Sequence, residues 1–229
     1  MACTRNAGAL GRRGLLAVVV LFLVCGTLTA TAQKEQSSAG SGDLIRHRTL
    51  ERADFKAEEP PRGTIARGNY ELAAITCIQV RTEPSVSMQV GSIGESSGDE
   101  RYEGWLGHLR FRAFMDRDCS WWNPSTRNAE YTLQHEQIHF GIREVAARRL
   151  NQAAENLVTE LHVTADSEEE VVQRLKARVA ALFDEHNDAA LRRTQDFDGD
   201  TSHGRDDERQ RQWWLLIERE LRETESWRD

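Results

Sequence analysis

The feature that most constrains this chain is the run H-E-Q-I-H at positions 135–139, which lies among good helix formers. Residues 128–150 contain no proline, so we predict one helix over this segment. Residues four apart in an α-helix are separated by only about 40° around the axis. His135 and His139 would therefore share one face of the helix, and Glu136 would project beside them.

Each residue type in this run matches a separate need of zinc chemistry. Two imidazoles can bind one Zn²⁺, and a neighbouring carboxylate can take a proton from a water molecule that attacks a carbonyl. We therefore predict that His135 and His139 bind zinc and that Glu136 is the general base. The alternative is a buried helix in which the histidines only form hydrogen bonds and the glutamate is solvated.

A catalytic zinc site keeps three protein ligands, so the H-E-x-x-H run needs one more. His203, in the turn-rich stretch 198–204, is our candidate for the third ligand. Glu185 and His186 on a later helix are the next candidates, followed by Asp198 and Asp200.

Glu144 is close in sequence but a poor candidate for the same metal. It follows His135 by nine residues, which places it on the opposite side of the helix. We expect it to pair instead with Arg148, four residues further along.

The N-terminus has the pattern of a secretory signal peptide. Three arginines and no acid precede an apolar run at 15–24, and small residues follow at 26–32. The apolar run is too short to span a bilayer, and cleavage is expected after Ala32. We predict a signal peptide at 1–32, a flexible tether at 33–43 and one domain at 44–229, exported to the periplasm or secreted, without stable membrane insertion.

Charge and cysteine content narrow the partners and the compartment. The chain has 30 Lys and Arg against 37 Asp and Glu, a net charge of −7. The charged residues that signal cleavage would remove are all basic, so the mature protein would have a more negative net charge. This charge argues against nucleic acid as a partner. Cys77 and Cys119 would remain after cleavage, either as a disulfide in an oxidising compartment or as two separate thiols.

The remaining pattern predicts an α+β fold, with antiparallel strands first and helices later. Period-two alternation at 109–114 and an apolar stretch at 72–80 indicate strands. Ser167 and Glu170 have the spacing of a capping box at the start of a second helix. A third helix is expected at 207–223, and its apolar stripe consists of Trp213, Ile217 and Leu221.

Two further features leave alternatives open. Asp196, Asp198, Asp200 and Asp207 have the spacing of calcium-loop positions 1, 3, 5 and 12, but position 6 lacks glycine, so a solvated acidic loop is the competing interpretation. Residues 105–116 could form an edge strand that aligns a peptide beside the metal helix.

Several separated blocks resemble DUF922, a family of bacterial exported proteins described as predicted zinc-dependent proteases. The segment H-E-Q-I-H-F at 135–140 is similar to the family's H-E-Q-G-H-F. The segment F-D-G-D-T-S-H-G at 197–204 is similar to its Y-D-x-x-T-x-H-G, and D-F-K at 54–56 to its opening block. Ile138 stands where the family has glycine, and Gly141 where it has an acid.

The resemblance implies a zincin-like fold and an exported zinc-dependent metallohydrolase that acts on a peptide or protein substrate. It also implies that His203, in the T-x-H-G block, belongs to the zinc site. The alternatives are a non-catalytic periplasmic binding or scaffolding domain with a structural or vestigial metal, and a zinc amidase acting on cell-wall peptides. The sequence does not specify an oligomeric state.

Overall fold

The computed structural model describes residues 42–62, 72–93 and 101–228. The predicted signal peptide at 1–32 and most of the predicted tether lie outside these residues. Within these residues the strands are β1 (Leu44–Arg46), β2 (Ala74–Thr82), β3 (Ser87–Ile93), β4 (Arg101–His108), β5 (Phe111–Trp122) and β6 (His162–Ala165). The three α-helices are α1 (Ala129–Glu160), α2 (Glu168–Asp200) and α3 (Asp207–Glu223), and short 3-10 helices lie at Arg52–Asp54 and Glu225–Trp227.

The strands form two small antiparallel sheets, and most of them precede the helices, as the α+β prediction requires. One sheet has the order β1-β5-β2 and the other the order β3-β4-β6. Residues 105–116 cover the end of β4, a two-residue connection and the start of β5, and these two strands are the central strands of their sheets. The prediction that this segment is an edge strand is therefore wrong, whereas β2 lies at the edge of its sheet among the described residues.

A large bulge interrupts the pairing of β2 with β5. Ile75 pairs with Trp121 and Cys77 with Asp116, so only Thr76 on β2 faces residues 117–120 on β5. Cys77 and Cys119 form a disulfide across the bulge, and the Ser120 hydroxyl accepts a hydrogen bond from the Cys77 N–H at 3.0 Å. Of the two alternatives for these cysteines, the structure has the disulfide.

Helix α1 is the central helix and carries the H-E-x-x-H run, as predicted. Its first turn is capped by Asn128, whose side chain accepts a hydrogen bond from the Tyr131 N–H. The helix continues to Glu160, ten residues past the predicted end. Phe140 and Ala147 pack on the β1-β5-β2 sheet, whereas Ile138 and Ile142 pack on α2 and α3 through Phe197 and Ile217. The helix is therefore covered on several faces.

Helix α2 begins where Ser167 caps the Glu170 N–H, and it continues to Asp200. Asp196, Asp198 and Asp200 are thus helical, so the calcium-loop interpretation, which needs an irregular backbone there, is wrong. Helix α3 has the predicted bounds, and Trp213, Ile217 and Leu221 pack against α1 and α2. Within the described residues, no helix has both the length and the apolar character needed to cross a bilayer.

Candidate metal centre

Two histidines of α1 and one aspartate of α2 meet at the surface between these helices. His139 Nε2 lies 3.1 Å from Asp198 Oδ1, and His135 Nε2 lies 3.4 Å from the same oxygen. The two Nε2 atoms are 3.2 Å apart. In the described part of the chain, these three residues form the one group of His, Cys, Asp or Glu side chains whose ligand atoms are close enough to share a metal ion.

The spacing of the three ligand atoms fits a tetrahedral zinc ion. Ligands about 2.0 to 2.1 Å from zinc at the corners of a tetrahedron lie about 3.3 Å from one another. The observed separations of 3.1, 3.2 and 3.4 Å are close to this value. Two imidazoles and one carboxylate are also a donor set typical of catalytic zinc sites, in which a fourth position is left open.

The three side chains remain accessible to solvent. The exposed fraction is 12% for His135, 13% for His139 and 29% for Asp198. The Phe197 ring lies behind both imidazoles, with centroid distances of 4.5 Å to His135 and 4.9 Å to His139. Phe197 is itself fully buried, so it limits the rotation of both rings while their outer edges stay open.

His203, the predicted third ligand, is not part of this group. It is exposed and lies in the turn after α2, where its backbone has a positive φ of 57°. The third member of the group is Asp198, which the sequence analysis ranked lower. Glu185 and His186 lie nearer the N-terminus of α2 than Asp198 does, and the His186 ring contacts the Leu182 carbonyl oxygen instead.

The turn that contains His203 has a different role in the structure, which is to hold Asp198 and His135 in place. The His203 N–H donates a hydrogen bond to the Asp198 carbonyl oxygen at 2.7 Å, and the buried Thr201 hydroxyl donates to the Phe197 carbonyl oxygen at 2.8 Å. Gly204 has a φ of 73°, and a Cβ there would lie 3.1 Å from His135 Nδ1. Only glycine combines this conformation with such a close approach to the ring.

A buried glutamine determines which nitrogen of His135 faces the cluster. Gln210 is completely buried, and its Nε2 donates to the Tyr131 carbonyl oxygen and to Gln134 Oε1, both at 3.1 Å. Its Oε1 must therefore accept, and it lies 3.0 Å from His135 Nδ1. The proton of neutral His135 is thus on Nδ1, which leaves the Nε2 lone pair directed at the cluster, as metal binding requires.

The charges of the cluster stabilise one another. Burial lowers the pKa of His135, but the hydrogen bond with Asp198 and the negative charge of Glu136 outweigh burial and raise it above its ordinary value. Burial alone would raise the pKa of Asp198, yet the hydrogen bonds and charges of the His135 and His139 rings, in their protonated form, hold it well below its usual range. The centre therefore carries an ionised carboxylate that favours a bound cation.

Glu136, the predicted general base, is buried beside this cluster. Its side chain is 5% exposed, and its Oε2 accepts a hydrogen bond from the Thr76 hydroxyl on β2 at 2.7 Å. The carboxylate is therefore held in place by a residue of the β1-β5-β2 sheet, whereas the neighbouring histidines contact α2. Glu144 lies elsewhere and accepts a hydrogen bond from Arg148 Nε at 2.8 Å, which confirms the predicted pair.

Sequence reasoning missed the roles of Thr76, Gln210 and Gly204, and it ranked Asp198 too low. The T-S-H-G run did mark the segment, and Gln210 lies within the predicted third helix, although no pattern singled it out. Thr76 had a weaker signal, as a polar residue within an apolar strand.

Comparison with family models, with curated proteins and with solved structures finds no match for the chain. The resemblance to DUF922 therefore remains a prediction.

Proposed function

We propose that this protein is an exported zinc-dependent peptidase. The observation that carries the proposal is the convergence of His135, His139 and Asp198 at tetrahedral ligand spacing, next to the buried carboxylate of Glu136. A group of three ligands, rather than four, in the described part of the chain favours catalysis over a purely structural role, because a structural zinc site is closed by four protein ligands. The disulfide supports export to an oxidising compartment.

The residues have distinct roles in the proposed reaction. A zinc ion held by the two imidazoles and Asp198 would supply Lewis-acid polarisation of the scissile carbonyl and would acidify water. Glu136 accepts a proton from the attacking water and passes it to the leaving amine, so the peptide bond breaks while a new C–O bond forms. Gln210 keeps the His135 lone pair directed at the cluster, and Phe197 restricts both rings.

The test uses the exported protein after purification and begins with its metal content. We expect about one equivalent of zinc per chain, and cleavage of members of a fluorescence-quenched peptide library. Glu136→Gln should retain the zinc and lose at least about 100-fold in kcat. Glu130→Gln is the matched control, because it makes the same change at an exposed site on the same helix, and it should behave as the parent does.

Other outcomes separate the competing functions. Retention of full activity by Glu136→Gln would contradict the proposed mechanism. Zinc binding with release of peptides from peptidoglycan, and none from the library, would indicate a cell-wall amidase instead. Zinc binding without hydrolysis of either substrate would indicate a binding or scaffolding domain.

A further inference from the structure

The structure points to a function for Thr76 that the sequence pattern only hints at. Along β2 the side chains of residues 74, 76, 78 and 80 alternate onto one face. Ala74, Ile78 and Val80 of this set pack against the apolar cluster that contains Phe140 of α1. Thr76 is thus the polar residue among these four, and its hydroxyl is 2.7 Å from Glu136 Oε2.

The fold fixes the position of Thr76 more firmly than an ordinary edge strand would. Thr76 lies at the bulge, between the pairs formed by Ile75 and by Cys77. The next residue, Cys77, is tied to β5 by the disulfide and by the hydrogen bond to Ser120, which is completely buried. These restraints hold the Thr76 backbone relative to β5, and therefore hold its hydroxyl relative to α1.

Glu136 needs such a partner because its backbone alone does not fix its carboxylate. A glutamate side chain has three rotatable bonds, and its loss of rotamer freedom must be offset by contacts. A hydrogen bond from a neutral hydroxyl to an ionised carboxylate is short and directional. With Oε2 engaged by Thr76, Oε1 is the oxygen left for the proton of the attacking water.

We propose that Thr76 is a positioning residue that orients Glu136 for catalysis, and that the disulfide-tied bulge exists to place it. The inference rests on the proposed peptidase function. It goes beyond that function because the position of the general base would be fixed by a residue of the edge strand β2, and not by the helix α1 that carries both histidines. Misplacement of a catalytic group by about 1 Å can cost roughly 100-fold in rate.

The kinetic test compares two variants at position 76 on the fluorescence-quenched peptides. Thr76→Val keeps the shape of the side chain and removes the hydroxyl, and we expect kcat to fall about 10- to 100-fold with KM and zinc content unchanged. Thr76→Ser restores the hydroxyl and should recover kcat to within about threefold. Thr82→Val is the matched control on the same face of β2 and should leave kcat unchanged.

Two kinetic results would overturn the inference: an unchanged kcat in Thr76→Val, or a failure of Thr76→Ser to recover activity. Loss of folding is separated by far-UV circular dichroism at 25 °C, in which Thr76→Val should keep the helical signal of the parent; its thermal midpoint should fall somewhat, because the variant leaves a buried acceptor without its donor, and Thr76→Ser should restore it.

Crystal structures of the zinc-loaded parent and of Thr76→Val give a second readout that does not need activity. In the parent, the Glu136 carboxylate should accept a hydrogen bond from the Thr76 hydroxyl. In the variant, the Glu136 side chain should adopt a different rotamer. If the parent cleaves no peptide, the proposed function fails, and this comparison alone decides the positioning role. An identical Glu136 conformation in both structures would contradict it.

Discussion

Asp198 rather than His203 joins the two histidines because of the way α2 ends. The run D-G-D-T-S-H-G contains many turn-forming residues, so the sequence favours a loop in which an imidazole could fold back on the metal. The helix nevertheless continues to Asp200, because Phe197 is completely buried between the histidine rings and the α3 residue Trp213. Tertiary packing thus overrides local propensity, and Asp198 is placed on the face beside α1.

Replacement of Asp198 should therefore impair metal binding, whereas replacement of His203 should not. We expect Asp198→Ala to weaken zinc affinity by about 100-fold or more, since loss of a ligand should cost at least as much as loss of an outer hydrogen-bond partner. His203→Ala should remain within about threefold of the parent. Competition with a chromophoric zinc chelator measures both affinities. The opposite ranking would restore His203 as the third ligand.

His47 provides a separate pH-dependent prediction at the residue scale. The Leu50 N–H donates to Gln137 Oε1 at 2.7 Å, which directs Gln137 Nε2 towards His47 Nε2 at 3.4 Å. The His47 nitrogen must therefore accept, which requires a neutral ring. Burial, together with the nearby charge of Arg148, lowers its pKa from 6.5 to about 4.

Protonation of His47 should consequently destabilise the fold in mild acid. The unfolded chain binds this proton near pH 6.5 and the folded chain only near pH 4, so stability is full above pH 6.5 and falls as the pH drops towards 4. The loss in the free energy of unfolding should be about 2 kcal/mol. This value is smaller than the full pKa shift would give, because the ring is partly exposed and solvent screens its charge. Urea unfolding of the parent and of His47→Gln at pH 7.5 and 4.5 measures it. An equal pH dependence in both proteins would exclude His47 as the cause.

At the scale of elements, helix starts were predictable and helix ends were less so. Asn128, Ser167 and Asp206 each accept a hydrogen bond from the third residue after them, and such caps depend on local sequence alone. The end of α1 at Glu160 depends instead on packing against α2 and the β3-β4-β6 sheet, through Leu150 and Ala154. Local patterns do not encode that contact.

Strand β5 shows the same limit. Its buried residues are odd-numbered from Phe111 to Met115, as the period-two pattern predicts, but Ser120 and Trp122 are buried after the bulge. Four residues of β5, 117–120, face Thr76 alone, so β5 has three extra residues there, and this odd number moves the alternation by one position. No local signal in the sequence gives the length of this bulge, because it is set by pairing with β2.

The disulfide across this bulge should make a large contribution to stability. It closes a loop with a sequence separation of 42 residues, for which chain entropy gives about 4 kcal/mol. We expect the Cys77→Ala/Cys119→Ala double variant to lose a free energy of unfolding of this order in urea titrations. The reduced parent is the control and should match the variant. A loss below about 1 kcal/mol would show that residual structure or native strain cancels the entropic effect.

At the scale of the whole molecule, the candidate metal centre lies where the three helices and a sheet meet. The metal ligands belong to α1 and α2, Gln210 belongs to α3, and the hydroxyl that contacts Glu136 belongs to the sheet. Three separate apolar clusters and the disulfide support these elements without using the ligands themselves. The fold should therefore persist when no metal is bound, unlike that of a small zinc-dependent domain.

Zinc should nevertheless stabilise the molecule measurably, because it binds a preformed site in the folded chain. At a free concentration of about 100 times Kd, binding adds about 2.7 kcal/mol, which raises the Tm of a domain of this size by roughly 5 to 10 °C. A chelator should remove this increment while far-UV circular dichroism retains the helical signal at 25 °C. His139→Ala, which lacks one ligand, should show no shift with zinc or chelator. Complete unfolding of the parent by chelator would indicate a structural metal, and the absence of any zinc-dependent shift in the parent would contradict the metal centre itself.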